Sequence, residues 1–459
     1  MNVLLVMPPF AQFKYSVKRC VQPLGLLSIA AYLERAGHSV EVLDSVVEGY
    51  HQDRICGDVK TYGLSMAKIA DHIRDSKPDF VGVSCLMTPL LKDTLEICQI
   101  TKQIDDSIQT IVGGVHATFA PYELLQYEQV DHVVIGEGEQ SILSIVNGEK
   151  SGVVQSPLLD VDMLPMPARH LVSMQKYFDI AMPENTFSPY KRTVQLESSR
   201  GCPFSCSFCA TSKHWGRKFR GKNPEIVIKE IRHLKEKYDV DELDFVDPNI
   251  AFDKLRFKKL LELLIKENLG IAWGNCGGIW VDGLDTEILD LCKQSGCYQI
   301  SLAVENVNPH ILKDVIHKPI HLERVKTLVE HCKKIGLDLH AFFVTGFPEE
   351  TLKDMWRNYE FAKEMDFTSA SFNIITPIPG SELYEKYASH LDLTCINFNK
   401  ASIPNPDLTP EEIKNEIEKM NIKFNRSLLW RQPVMFARKY LYHGWLRRKK
   451  NFWKMFRRQ

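Results

Sequence analysis

Short, continuously apolar runs alternate with amphipathic stretches along the first third of the chain. The runs at residues 3–7, 40–43, 80–84, 110–112 and 132–135 are too short for helices and lack the alternation of half-exposed strands. They read as strands buried on both faces. Between them, residues 24–35 and 89–103 place apolar side chains at the helical period. This rhythm predicts an α/β domain, a doubly wound, Rossmann-like parallel sheet over residues 1–148, with its ligand edge at the carboxyl ends of the strands. Residues 149–190 lose the pattern and hold several prolines, which predicts a linker that still packs.

A second alternation begins near residue 193, with strands expected at 194–197, 243–246, 271–275, 299–303, 338–344 and 371–375 and helices at 224–238 and 254–267. Six strand and helix units over residues 191–380 predict a partial (β/α)6 barrel, which keeps its chemistry at the carboxyl ends of its strands. Residues 381–459 form a helical C-terminal region. Its helix at 410–429 starts with Thr409 as N-cap, Pro410 at the first position and Glu412 placed to close a capping box.

Composition adds an asymmetry. The 459 residues carry a net charge of only −1, yet Arg431 to Gln459 hold ten Lys or Arg and no Asp or Glu, so the rest carries −11 by difference. In this tail Leu441, Trp445, Phe452 and Phe456 can share one helical face. A basic amphipathic segment of this kind suits peripheral contact with an anionic membrane surface and a lipid-like substrate, and no nucleic acid is expected as a partner. The opening "MNVLLVMPPF" has no charged leader and breaks at Pro8 and Pro9, and no run reaches the ~20 apolar residues of a spanning helix. Twelve cysteines without a secretion pattern point to a reducing, cytoplasmic compartment.

Three of those cysteines, Cys202, Cys206 and Cys209, lie within eight residues in "SSRGCPFSCSFCATSKHWG", just after the first strand of the second alternation. Clustered thiolates can hold zinc or an iron–sulfur cluster. Zinc would need a fourth ligand, for which His214, Cys85 and Cys276 are available, whereas a cubane cluster held by three cysteines leaves one iron open. Cys276, Cys292 and Cys297 are spaced too irregularly for a second cluster and read as core thiols.

The Cys-x3-Cys-x2-Cys spacing, with the aromatic Phe208 before the last cysteine, resembles the radical S-adenosylmethionine enzymes. The resemblance implies a [4Fe-4S] cluster on the three cysteines, S-adenosylmethionine on its open iron, and cleavage to a 5'-deoxyadenosyl radical fed by an external donor of the flavodoxin or ferredoxin type. Phe208 is then an S-adenosylmethionine contact. Further contacts are implied at Asp247 of "FVDPN", Glu305 of "SLAVEN" and Gly346 of "FFVTGFPEET"; Ala303 stands where relatives carry glycine. Asn249 and Asp253 serve equally well as helix caps.

Upstream, "QPLGLLSIAAYLERAGHSVEVLD", "PDFVGVSC", "IVGGVHATFAP", "VIGEGE" and "LPMPARH" occur in an order that resembles the cobalamin-binding class of these enzymes. That resemblance implies cobalamin contacts at Pro8, Leu24, Gly25, Ser84, Thr88, Gly113, Gly114, His116, Gly136 and Gly138. The Asp-x-His-x-x-Gly pattern that supplies a cobalt-ligating histidine in methionine synthase is missing, so His116 is expected at the corrin edge or nucleotide tail, and His132 in the core. The expected activity is methylation of an unactivated carbon of a small-molecule or lipid-like substrate. Oxidative cyclisation without methyl transfer is the enzymatic alternative, and a cobalamin-binding sensor with a structural metal is the non-enzymatic one. A tRNA methylthiotransferase is disfavoured, since the first domain has no second cysteine triad.

Overall fold

The computed structural model describes residues 1–14, 16–185, 188–275, 277–389 and 403–437. The chain divides into two compact units, one built from Met1–Met182 with Lys213–Gly216, the other from Pro183–Ser212 and the described residues from Arg217 onward.

The first unit contains β1 (Asn2–Met7), β2 (Phe10–Phe13), β3 (Ser39–Asp44), β4 (Asp53–Cys56), β5 (Val59–Tyr62), β6 (Phe80–Ser84), β7 (Gln109–Gly113), β8 (His132–Ile135) and β9 (Gly152–Gln155). Six of these form one parallel sheet in the order β3-β1-β6-β7-β8-β9. Helices Leu24–Arg35 and Gly138–Val146 pack on one face and Met66–Ser76 and Leu91–Ile104 on the other, burying separate apolar cores. Strand order reverses at β1 and β6, and in an open parallel sheet a ligand crevice forms at that reversal, outside the carboxyl ends.

Two features depart from the pattern reading. β9 lies inside the stretch expected to be linker: its four residues Gly-Val-Val-Gln are too few to show a period, and pairing with β8 makes them a strand. β2, β5 and β4 form a separate antiparallel ribbon, whose mixed polar sequences carry no apolar run.

The second unit adds β10 (Thr193–Leu196), β11 (Ser199–Arg200), β12 (Arg220–Gly221), β13 (Glu242–Phe245), β14 (Ala272–Asn275), β15 (Cys297–Glu305), β16 (Asp338–Thr345) and β17 (Ser369–Ile374). Its six-stranded sheet is parallel throughout, in the order β10-β13-β14-β15-β16-β17, with helices between consecutive strands: the expected partial barrel. Trp273 and Phe245 are fully buried against each other within it.

The helix Pro410–Arg431 lies against β17. Ile413, Ile417, Met420, Phe424 and Leu428, spaced by three or four residues, form its buried stripe. Thr409 and Glu412 make the expected capping box. Asn421 meets the backbone of the edge strand: its Nδ2 donates to the Phe372 carbonyl at 2.9 Å and its Oδ1 accepts from the Phe372 N–H at 3.1 Å. One amide side chain thus stands in for the neighbouring strand that β17 lacks. Among the described residues no helix is long and apolar enough to cross a membrane. The basic stretch 438–459 and Cys276 lie outside the described residues.

Candidate active site

The three cysteines sit on a loop that leaves the end of β10 and is pinched by the two-residue ladder of β11 and β12. The Ser207 N–H donates to the Ile316 carbonyl, and the Ser207 carbonyl accepts from Leu383, so the loop centre is tied to two other segments. Cys206 and Phe208 pack against Ile311, Leu312, Ile316 and Phe347. All three thiols are partly exposed, unlike the core thiols Cys292 and Cys297. Burial pushes the Cys206 thiol up to about 12, with the Lys318 ammonium opposing it, and burial also raises Cys202. Among the described residues no three His, Cys, Asp or Glu side chains are drawn together as a single-ion site. The fit to a cluster therefore rests on the donor set: three soft sulfurs on one tethered loop, close enough to influence one another's charge. His214 bonds instead to Thr118 Oγ1 through Nδ1 at 3.1 Å, within the first unit.

Four buried polar groups, Asp247, Asn249, Asn275 and Glu305, stand at or just past the carboxyl ends of the neighbouring strands. Asp247, just past β13, accepts from Ser198 N (3.1 Å), Ser198 Oγ (2.7 Å) and Ser199 Oγ (2.5 Å). Its carboxylate, held above the ordinary value by burial, grips the backbone that leads into the cysteine loop. Arg256 reinforces the same turn by donating to the Ser198 and Lys222 carbonyls. Asn249 and Asn275 are each 3% exposed, and their Oδ1 atoms have no hydrogen-bond partner among the described residues. They are acceptors available at the reactive edge of the sheet.

Glu305 ends β15 with φ of +64°, where the register with β16 shifts. Its Oε1 pairs with Lys318 Nζ at 2.7 Å, both side chains being buried. Burial alone would depress the Lys318 ammonium, but Glu305 and then Cys206 hold it above the ordinary lysine value. A buried zwitterionic pair thus sits beside the cysteines. Sequence reasoning singled out Glu305 and missed Lys318, thirteen residues on, which no local motif marks.

Gly346 has φ of +91°, a conformation that glycine alone adopts without strain, and a Cβ there would stand 2.9 Å from Ile413 Cγ2. The turn is organised by Glu350, 2% exposed, whose carboxylate accepts from Gly346 N (2.6 Å), Phe347 N (3.0 Å), Thr345 Oγ1 (3.0 Å) and Asn306 Nδ2 (2.6 Å). Glu350 was not singled out from sequence, although it lies four residues beyond Gly346 in the quoted segment.

In the first unit, Pro8 follows β1, Ser84 ends β6 and Thr88 comes four residues later, at the strand-order reversal. Leu24 is half-buried and Gly25 exposed, with open space where a Cβ of Gly25 would be. Gly113 is similarly unobstructed, its Cβ position meeting only Val134 at 3.8 Å. Gly114 differs: with φ of +105° its Cβ would stand 2.7 Å from the Cys85 carbonyl oxygen, so the fold itself requires glycine there. Gly138 is likewise set by packing, against Ile29, and Gly136 begins the turn into its helix. His116 is 2% exposed, with Nδ1 3.2 Å from Thr88 Oγ1, and burial lowers it to about 4, leaving a neutral imidazole at pH 7. His132 is a core residue whose Nδ1 accepts from Gly152 N.

Comparison with known proteins matches residues 14–146 to the B12 binding domain and residues 196–362 to the radical SAM superfamily. The cytidylyl-2-hydroxyethylphosphonate methyltransferase of Streptomyces wedmorensis is 31% identical over 93% of this chain and 89% of its own length. The anaerobic magnesium-protoporphyrin IX monomethyl ester cyclase of Rubrivivax gelatinosus is 26% identical over 90% of this chain and 74% of its own. In fold, the chain resembles the radical S-adenosylmethionine methyltransferase TsrM from Kitasatospora setae, solved with cobalamin and a [4Fe-4S] cluster bound. That match has a TM-score of 0.67 over 84% of this chain and 78% of that one, at 18% identity.

Proposed function

Because the chain belongs to the cobalamin-dependent radical S-adenosylmethionine methyltransferase family, we propose that it methylates an unactivated carbon of a small-molecule or lipid-like substrate. The observation that carries this reading is the 31% identity with a methyltransferase along nearly the whole chain, both domains included. When bound, the cluster and cobalamin supply reductive cleavage of S-adenosylmethionine to a 5'-deoxyadenosyl radical and a carrier for the methyl group.

The protein's own part is to hold, orient and shield. Cys202, Cys206 and Cys209 hold the cluster, on a loop whose approach is fixed by Asp247. Glu305 and Lys318 present opposite charges beside that loop, and this pair complements the ammonium and carboxylate of an amino-acid moiety. Gly346, set by Glu350, leaves backbone room for adenine, and Phe208 packs beneath the loop. Pro8, Leu24, Gly25, Ser84, Thr88 and Gly113 form the cobalamin crevice, with Gly114, His116, Gly136 and Gly138 shaping its walls. The electron comes from a small external donor of the flavodoxin or ferredoxin type in a reducing compartment.

The test is anaerobic incubation of the reconstituted enzyme with cobalamin, reductant, an extract of its host as substrate source and S-adenosylmethionine labelled in its methyl group. Label in a new product is the expected result. Formation of 5'-deoxyadenosine with no label transferred would replace this reading with the cyclase chemistry that the name of the Rubrivivax relative describes.

A further inference from the structure

A short piece of chain that follows the cysteine loop belongs to the first unit. Lys213–Gly216 fall within the stretch matched to the radical SAM superfamily, residues 196–362, yet they form one compact unit with Met1–Met182. Their anchor is His214, which is buried and meets the Trp215 ring edge to face at 4.8 Å. Its carbonyl oxygen lies 3.5 Å from where a Cβ of Gly136 would stand, so the segment lies directly against that glycine.

The imidazole is the third partner of a single hydroxyl. Thr118 Oγ1 donates to the Gly114 carbonyl at 3.0 Å and accepts from the Gly136 N–H at 3.0 Å. A threonine hydroxyl has one proton and two lone pairs, so the 3.1 Å contact with His214 has to be an Nδ1–H that fills the second lone pair. With both lone pairs occupied, the hydroxyl proton stays on Gly114. The two glycines stand side by side in the sheet: β7 and β8 pair, Gly114 comes just after the first and Gly136 just after the second. One hydroxyl therefore fastens two neighbouring turns at the carboxyl edge, and His214 completes its coordination.

We propose that His214 is a positioning residue of the cobalamin crevice, holding the turns at Gly114 and Gly136 through Thr118 in the shape that receives the cofactor. The crevice thereby depends on a residue outside the stretch matched to the B12 binding domain, residues 14–146. This rests on the reading that puts both glycines in the crevice wall, which binding by the parent tests separately.

The test is equilibrium dialysis of the full-length chain against hydroxocobalamin, with iron content after anaerobic reconstitution and thermal melting by circular dichroism followed alongside. His214→Ala should weaken cobalamin binding roughly fivefold, the effect of about one net hydrogen bond, with iron at the parent level. His214→Asn, whose Nδ2–H takes the place of Nδ1–H, should recover most of that loss. Thr118→Val should lose at least as much as His214→Ala, and combining the two should add little, because both remove the same contact. Parent-like binding by His214→Ala, no recovery in His214→Asn, additive losses in the double variant, or loss of iron together with cobalamin would each overturn the proposal. A parent that takes up no cobalamin would overturn the reading of the crevice and this proposal with it.

Discussion

Asp247 is the most informative single position, because its carboxylate touches the chain immediately before the cysteine loop. Asp247→Asn preserves shape, and its Oδ1 can still accept from both serine hydroxyls. The amide nitrogen, however, then faces the Ser198 N–H, donor against donor. One hydrogen bond to a charged acceptor is lost and one buried N–H is left unmet, a combination worth roughly 2 kcal/mol. Relief of the burial cost on the carboxylate works in the opposite direction, so the net loss should not exceed that figure. For a unit of this size roughly 2 kcal/mol corresponds to about 4–8 °C in Tm. The consequence for function is larger than for stability, because Ser198 and Ser199 set the start of the loop that presents Cys202. The expected outcome is a chain that folds, melts a few degrees earlier, and takes up well under half the iron of the parent on anaerobic reconstitution. Iron content and the visible absorbance of the cluster measure the second effect independently of turnover. A variant with parent-like Tm and full iron loading would refute the argument that Asp247 holds the loop.

Other outcomes follow from the same geometry. Burial lifts Asp44 to about 6 even though Tyr177 and Val46 donate to it, so the folded chain takes up its proton more readily than the unfolded chain does. Its contribution to stability therefore falls as pH rises from about 4 to about 6 and is level above, a range worth about 3 kcal/mol. Asp44→Asn, which keeps an acceptor for Tyr177, should gain stability relative to the parent between pH 4.5 and pH 7 in urea unfolding, and a constant gap would contradict the assignment. Gly346→Ala places a Cβ 2.9 Å from Ile413 at a φ of +91°. It should cost about 1–2 kcal/mol and weaken S-adenosylmethionine binding several-fold in equilibrium dialysis while iron content stays at the parent level. Asn421→Ala removes both hydrogen bonds to Phe372, so a loss of about 2 kcal/mol and a greater tendency to associate through β17 are expected by calorimetry and light scattering.

What the sequence made legible were features with long or repeated signals. Helices Leu24–Arg35, Pro224–Tyr238 and Lys254–Glu267 occupy the residues their periodicity indicates, and so do β6 and β8, which are buried apolar runs. Thr409 and Glu412 could be read because a capping box is local in sequence. Hidden features are those created by pairing across distance. β9 becomes a strand only beside β8, and the β2-β5-β4 ribbon is held by register rather than by apolar character. The same holds at the site. The cysteine spacing is a local pattern, whereas Lys318 meets Glu305 only because the chain bends through Ile311–Ile316 and returns. The roles of the glycines were legible only in part: Gly25 and Gly113 leave open space, but Gly114 answers to the Cys85 backbone.

The amide of Asn421 lies 49 residues beyond Phe372, the residue of β17 to which it bonds. During synthesis, which proceeds from the N-terminus, all six strands of the second sheet leave the ribosome before the side chain that closes their open edge does. Until then β17 offers unpaired N–H and carbonyl groups to any other strand within reach. The helix Pro410–Arg431 is thus the step that ends the nascent enzyme's exposure to misassociation. A chain shortened before residue 421 would keep every cysteine of the loop and still be expected to fail, through aggregation rather than through loss of chemistry.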